Sequence, residues 1–261
     1  MIIHLHVLVQ IAMNGKWLKV PGRLAEMKNV LVAVVINLKN AMVQETGEFI
    51  MDTNNEDRVK WVYSSKNNSE LSERYDEWAK DYDNDLSEFF GWIAPQTAAG
   101  YLAKHLDTQS EVLDAGAGTG LVGQALSELG FKNLTAMDLS MGMLKEAESK
   151  NVYKKLDQMV LGEYLDYPAG YFGAVISVGV MTNGHAGPGS FDELVRVTKP
   201  QGVIVFTLKT DVYLENGFKQ KMEQLESDKV WEILEVSDEF HPLPIGEPEV
   251  LHKVWIYKVL K

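Results

Sequence analysis

Beyond residue 110 the chain switches between two hydrophobic periods. Short apolar runs bounded by turn residues predict strands at "EVLDAG" (111–116), "LTAMDLS" (134–140), "DQMVLGE" (157–163), "FGAVISVGV" (172–180), "GVIVFTL" (202–208), "VWEILEV" (230–236) and "HKVWIYKVL" (252–260). Between them lie segments whose apolar residues recur every three or four positions. "LVGQALSELG" (121–130) puts Leu121, Val122, Ala125, Leu126 and Leu129 on one side and stops at Gly130. "SMGMLKEAESK" (140–150) is a helix capped by Ser140, and "SFDELVRVTK" (190–199) opens with a capping box of Ser190 and Glu193. A further helix is expected around 214–226. Strands alternating with helices predict an α/β fold, a mostly parallel sheet covered by helices on both faces.

Ahead of this region the pattern is helical. In "LSERYDEWAKDYDNDLSEFFGW" (71–92), Leu71, Tyr75, Trp78, Tyr82, Leu86 and Phe89 draw one stripe, opposite an acidic face. Pro95 opens a second helix, "PQTAAGYLAKHL" (95–106). Residues 51–70 are polar and read as a linker. Residues 1–50 contain the apolar "NVLVAVVINL" (29–38), far short of the ~20 residues that span a bilayer. "MIIHLHVLVQ" lacks the basic start of a secretory signal. This extension is expected to pack poorly on the rest, as an irregular segment or an upstream start added ahead of Met51; a targeting presequence is the other reading.

Charge narrows the partners. The 261 residues carry 25 Lys plus Arg against 37 Asp plus Glu, a net −12. Such a surface repels a polyanion, so nucleic acid is disfavoured as a partner. The chain has no cysteine, which removes disulfides, thiolate nucleophiles and Cys-based zinc sites and fits a cytoplasmic protein.

The stretch "DAGAGTG" carries the candidate chemistry. Gly116, Gly118 and Gly120 follow a strand, where backbone without Cβ can approach a ligand closely. A mononucleotide P-loop needs G-x-x-x-x-G-K-[ST], yet no Lys or Arg follows until Lys132. A dinucleotide turn needs G-x-G-x-x-G, and its third position is Leu121. Asp114, just ahead of the turn, disfavours an anion and favours a cation. S-adenosylmethionine has an ammonium and a sulfonium but no phosphate, and it suits this combination. Gly116, Ala117, Gly118 and Thr119 form the approach, and helix N–H groups meet the cofactor carboxylate. Asp138, twenty residues after Gly118 at a strand end, is placed to accept ribose hydroxyls. The plain structural reading makes Asp114 a turn residue and Asp138 an acid beside a helix N-cap.

At this point the chain resembles the class I S-adenosylmethionine-dependent methyltransferases over about residues 71–261. "VLDAGAGTG" matches the first motif of that family and "MDLSMGMLKEA" its acidic strand and helix. "GEYLDYPAGYFGAVISVGV" and "ELVRVTKPQGVIVFTL" match the following strands and helix. "YDEWAKDYD" with "APQTAAGYL", and "SVGVMTNGHA", are similar to the methyltransferase-like proteins of the Williams–Beuren region. The resemblance implies a Rossmann-like, doubly wound, seven-stranded sheet with an antiparallel last strand and an N-terminal helical lid (71–106). It also implies that Glu163 meets the adenine amino group, that the Tyr164 backbone N–H meets the ring, and that Leu139 and Met143 sandwich it. Tyr75 and Tyr82 lie on the helix that closes over the cofactor, although such a stripe also serves plain packing, as Met143 can serve the core. The family's usual Phe-Asp is Phe172-Gly173 here, and its Pro-Gly-Gly is Pro200-Gln201-Gly202. Gln201 therefore either takes a positive φ at a cost of about 1 kcal/mol or belongs to a different turn.

For methyl transfer the protein supplies positioning, and a base where the acceptor must lose a proton. His185 in "MTNGHAGPG" is the candidate general base, or else it shapes the pocket wall. No Asn/Asp-Pro-Pro-aromatic signature of DNA amino-methylation follows the fourth strand, and no histidine spacing suits a metal. The acceptor is expected to be a small molecule, with a protein side chain as the other class, and no membrane association is expected. The proline-bearing loop "DEFHPLPIGEPEV" (238–250) is expected to wall its pocket. A cofactor-binding module without catalysis and a nicotinamide-dependent oxidoreductase are the competing functions.

Overall fold

The computed structural model describes residues 54–182 and 185–261, which form one compact unit. The expectation for residues 1–50 lies outside the described residues. Seven strands form one sheet in the order β3-β2-β1-β4-β5-β7-β6. They are β1 (Val112–Ala115), β2 (Leu134–Asp138), β3 (Lys155–Gln158), β4 (Phe172–Ser177), β5 (Thr198–Lys209), β6 (Trp231–Val236) and β7 (His252–Val259). β1 pairs in parallel with β2 and β4, and β4 with β5, whereas β7 runs antiparallel to both β5 and β6. The expected doubly wound sheet with an antiparallel final strand is therefore present.

The period of two along the strands sorts the core into two layers. Leu113, Ala115, Val175, Ile204, Phe206 and Tyr257 face one side, against Phe191 and Leu194 of α6 (Ser190–Val197) and Phe218 and Met222 of α8 (Phe218–Ser227). Val112, Ala174, Ile176, Val203, Val205 and Ile256 face the other, against α3 (Ala94–Ala103) and α4 (Leu121–Glu128). Neighbours in sequence go to opposite layers because successive side chains point to opposite faces of a strand. α5 (Met141–Ser149) follows β2, and the short α7 (Thr210–Glu215) precedes Gly217, which divides the expected 214–226 helix in two at φ 81°. Among the described residues no helix is long and apolar enough to cross a membrane.

Several local expectations are corrected. The presumed linker contains helix α1 (Asn54–Tyr63), whose Val62 is buried against Leu71 and Trp78; the polar composition of this stretch hid a single apolar stripe. The long helix α2 spans Asn68–Asp85 and widens into a π-helical turn, Leu86–Phe90, before Gly91 ends it in the left-handed region. Ser190 is not an N-cap. Its hydroxyl donates to the Gly187 carbonyl, and Glu193 instead accepts from the Leu165 N–H and binds Arg196. β3 begins two residues earlier than expected and leaves "MVLGE" as a turn. Ser140 does cap α5, accepting from the Met143 N–H at 3.0 Å. Gln201 takes φ 67°, the strained option, and β5 runs through it.

Candidate active site

The site forms where the strand order reverses, at the carboxyl ends of β1, β2 and β4, the place where open α/β sheets hold ligands. After Ala115 the chain turns through Gly116, Gly118 and Gly120, at φ 80°, 54° and 89°. A side chain at Gly116 would strike Val180 at 2.4 Å, so that glycine is demanded by packing as well as by φ. A Cβ at Gly118 would meet nothing within 4 Å; the space in front of it is open. The turn is braced from β2. The Asp138 carboxylate accepts the Gly118 N–H at 2.8 Å and the Ser140 N–H at 2.9 Å and is only 6% exposed. Burial is the largest influence on its pKa and raises it, and the nearby Asp76 carboxylate adds to the rise, while the backbone donors pull the other way.

Two chambers open on either side of this turn. The first lies between Asp138, Leu139, Met143, Met159, Leu161 and His185. The second lies between Ala117, Thr119 and the start of α4 on one side and a largely aromatic wall on the other. Tyr75, Tyr82, Gly116, Gly118, Val178 and Gly179 border both, so the chambers meet at the glycine turn.

Helix α2 roofs the site through polar anchors. The Asp76 carboxylate accepts from the Ser140 hydroxyl and the Gly142 N–H, both at 2.6 Å, and so caps α5 from a distant helix. The backbones come so close there that a Cβ on Gly142 would lie 2.7 Å from the Asp76 Cα. Ser72 donates to the Leu139 carbonyl, and Asp83 accepts from the Thr119 hydroxyl and from Lys150 Nζ.

Most of the sequence candidates converge here. Tyr75, Tyr82, Gly116, Gly118, Asp138, Leu139, Met143 and His185 line the first chamber; Ala117 and Thr119 line the second. His185 is held between two hydroxyls, with Nε2 at 2.9 Å from Tyr75 Oη and Nδ1 at 2.8 Å from Thr182 Oγ1. Burial pushes the Tyr75 phenol well above its usual pKa, so it keeps its proton.

Asp114 lies outside both linings. It is 1% exposed beneath the turn, where Oδ2 accepts from Tyr153 Oη at 2.6 Å and buried Oδ1 has no hydrogen-bond partner. Burial raises its pKa to about 7, although the Tyr153 hydroxyl pulls the other way. Tyr153 in turn accepts the Gly123 N–H at 3.0 Å, tying the carboxylate to α4. Glu163 and Tyr164 also stand outside the chambers. The chain turns at Gly162 (φ 104°), Leu161 reaches the first chamber instead, and Tyr164 is 72% exposed beneath the Arg196 guanidinium. Sequence reasoning missed Asp76, Asp83 and Tyr153. Asp76 and Asp83 share a helix face at a seven-residue interval, but an acidic face reads as solvated until its partners are known.

The residues present fit S-adenosylmethionine. A buried carboxylate, a glycine turn with open space before it and an apolar slot lie side by side, and no Lys or Arg lines either chamber among the described residues. Fold and site define a class I S-adenosylmethionine-dependent methyltransferase, with S-adenosylmethionine as its cofactor.

Comparison with known proteins agrees. Residues 113–206 match the family described as Methyltransferase domain. Human methyltransferase-like protein 27 is 32% identical over 198 residues, covering 73% of this chain and 79% of the relative. A TehB-like S-adenosylmethionine-dependent methyltransferase from Corynebacterium glutamicum superposes with TM-score 0.54 at 16% identity, covering 72% of this chain and 98% of that one. A further S-adenosylmethionine-dependent methyltransferase, from Thermotoga maritima, gives 0.51 at 16% identity, covering 72% and 98%. The chain belongs to the family of methyltransferase-like protein 27.

Proposed function

We propose that the protein methylates a small-molecule acceptor, with the nucleoside end of the cofactor in the first chamber and the acceptor in the second. The observation that carries this reading is the meeting of the two chambers at the glycine turn. Asp138 would accept the ribose hydroxyls, and Leu139, Met143, Met159 and Leu161 would enclose the adenine. The N-terminal N–H groups of α4, beside Ala117 and Thr119, would meet the cofactor carboxylate. When bound, S-adenosylmethionine supplies a methyl group on a sulfonium, an electrophile that needs little covalent assistance.

The protein's own task is to align the acceptor, exclude water and take a proton. Tyr75 borders both chambers, and its hydroxyl meets His185 Nε2. A proton leaving the acceptor passes to the Tyr75 oxygen as Tyr75 hands its own to Nε2, so the general-base role of His185 is exerted through the phenol. The lid anchored by Asp76 and Asp83 keeps water out. A cytoplasmic location belongs to the same proposal and is read by cell fractionation.

Titration calorimetry with S-adenosylmethionine and S-adenosylhomocysteine tests cofactor binding, and transfer of labelled methyl groups into a metabolite extract tests catalysis. Tyr75→Phe and His185→Ala are each expected to lower the methylation rate about 10²-fold and to leave S-adenosylhomocysteine affinity within a few-fold. An unchanged rate in both variants removes the proton path. Binding without any methyl turnover would favour a cofactor-sensing module instead.

A further inference from the structure

We infer that the acceptor is a flat, uncharged aromatic molecule methylated on a phenolic hydroxyl, with its ring among Tyr63, Trp78, Tyr82 and Trp92 and its hydroxyl at Tyr75, where the two chambers meet. This inference rests on the methyltransferase reading above and names the substrate class of the second chamber.

Four segments of the chain give that chamber its rings: Tyr63 from α1, Tyr75, Trp78 and Tyr82 from α2, Phe90 from the π-helical turn and Trp92 from the approach to α3. The rings are held rather than loosely gathered. Trp78 and Tyr82 meet edge to face with centroids 4.8 Å apart, and Trp78 lies nearly parallel to Tyr75 at 6.5 Å. Trp92 packs so tightly on the chain just past β4 that a Cβ at Gly179 would touch its ring at 3.1 Å. Fixed ring faces favour flat apolar groups, which bury most of their surface there without first having to be ordered.

The polar groups of the lining leave one place for the acceptor's own. Trp78 Nε1 donates at 2.7 Å to buried Asp85, which also meets Arg58 at 3.0 Å, and the Thr119 hydroxyl donates to Asp83. Tyr75 and Tyr82 border both chambers, so a polar atom of the acceptor finds hydroxyls at the seam. Deeper among the rings it would lose water without gaining a partner. Charge narrows the class further. No Lys or Arg among the described lining residues can hold a carboxylate or phosphate. Glu247, the one charged residue described there, already has a partner within the chain. An ammonium would shed its water among ring faces, and its proton occupies the lone pair that has to attack. A neutral hydroxyl avoids both penalties.

Acidity selects the kind of hydroxyl. The acceptor's proton passes through Tyr75 to His185, whose Nε2 lies 2.9 Å from Tyr75 Oη. A phenol, with a pKa of ~10, stands about 3.5 pH units above an ordinary histidine at ~6.5. An aliphatic hydroxyl, about as weak an acid as water at ~15.7, stands roughly nine above it. The step balances: the phenol proton moves to the Tyr75 oxygen as Tyr75 passes its own to Nε2, and an oxygen lone pair forms the new O–C bond. The electrons of the broken S–C bond stay on sulfur, leaving an aryl methyl ether, S-adenosylhomocysteine and one proton.

The test uses the full chain saturated with S-adenosylhomocysteine and a matched probe set: 2-naphthol, 2-naphthalenemethanol, 2-naphthoate, 2-naphthylmethylamine and decahydro-2-naphthol. By calorimetry the first two are expected to bind at least tenfold tighter than the other three. With labelled S-adenosylmethionine, label is expected on the 2-naphthol oxygen roughly 10²-fold faster than on 2-naphthalenemethanol. Trp92→Leu is expected to erase the preference of 2-naphthol over decahydro-2-naphthol, and Trp92→Phe to keep it. Unchanged S-adenosylhomocysteine affinity reports that both variants are folded; should Trp92→Leu lose it, the wild-type ranking decides. The acid, the amine or decahydro-2-naphthol binding as tightly as 2-naphthol overturns the inference, as does equal methylation of the two aromatic hydroxyl probes. A preference that survives Trp92→Leu, or no detectable 2-naphthol binding, overturns it as well. Failure of S-adenosylhomocysteine itself to bind to the wild type is a separate readout, and it overturns the cofactor reading beneath.

Discussion

Asp114 offers the sharpest perturbation, because its setting combines almost complete burial, one hydrogen bond and one unpartnered oxygen. Its pKa of about 7 in the folded protein compares with ~3.9 for an unfolded aspartate. A carboxyl group whose folded pKa is raised binds its proton more tightly in the native state. Its favourable contribution is complete below pH ~4 and is lost as the pH rises through about 7. About three pH units at ~1.4 kcal/mol each give a loss of ~4 kcal/mol across that window. Asp114→Asn should abolish this loss, since the amide oxygen still accepts from Tyr153 and its nitrogen takes the place of the unpartnered Oδ1. For a unit of this size ~4 kcal/mol corresponds to roughly 10 °C in Tm. The assay is thermal and urea unfolding of both proteins between pH 4.5 and 8. Wild type minus variant should fall steadily, leaving Asp114→Asn the more stable protein at pH 8. Parallel curves would refute the argument. The same residue reports on the cofactor: a cation bound nearby favours the charged carboxylate, so binding of the sulfonium S-adenosylmethionine near pH 6 should release a proton, visible as heats that depend on buffer ionisation. No release would remove Asp114 from the surroundings of the cofactor and leave the stability argument intact.

Asp138→Ala removes the charged acceptor at the end of β2 and should weaken S-adenosylhomocysteine ~10–100-fold by calorimetry, since each hydrogen bond to a charged group is worth ~1.5–3 kcal/mol. It also strands the Gly118 and Ser140 N–H groups, so Tm should fall as well. Gly118→Ala separates binding from folding. The positive φ costs ~1 kcal/mol, but the methyl enters open space where the cofactor belongs, so affinity should fall by more than that stability cost implies. Asp76→Ala should free the Gly142 N–H and loosen the roof by ~1 kcal/mol, read as faster amide exchange along α2 with little change in the sheet.

The sheet was legible because its causes are local. Short apolar runs, the glycine turn after "EVLD", the Ser140 cap and the Gly130 stop each act within a few residues, and each appears where the pattern put it except β3, which is shifted two residues earlier and ends at Gln158. Asp138 was legible for a similar reason: the spacing of a strand, a helix and a second strand carries a carboxylate back beside the first turn. The elements misread were those whose conformation is settled by distant partners. The polar stretch 54–63 becomes helix α1 because Val62 finds Leu71 and Trp78 to pack against. Ser190 and Glu193 satisfy the spacing of a capping box, yet Glu193 contributes more by binding Arg196 and the Leu165 N–H.

The sequence by itself thus determined the order of elements and the acid that stands beside the glycine turn, because period and chain reversal are properties of neighbouring residues. Only the tertiary structure decided that Asp114 sits beneath the turn with Tyr153 and that Leu161 reaches the chamber in place of Glu163. It also decided that Asp76 and Asp83 clamp the roof and that rings from four separate segments line the second chamber. Those outcomes depend on which surfaces meet across tens of residues, where burial and unpartnered polar groups, rather than local preference, choose the arrangement.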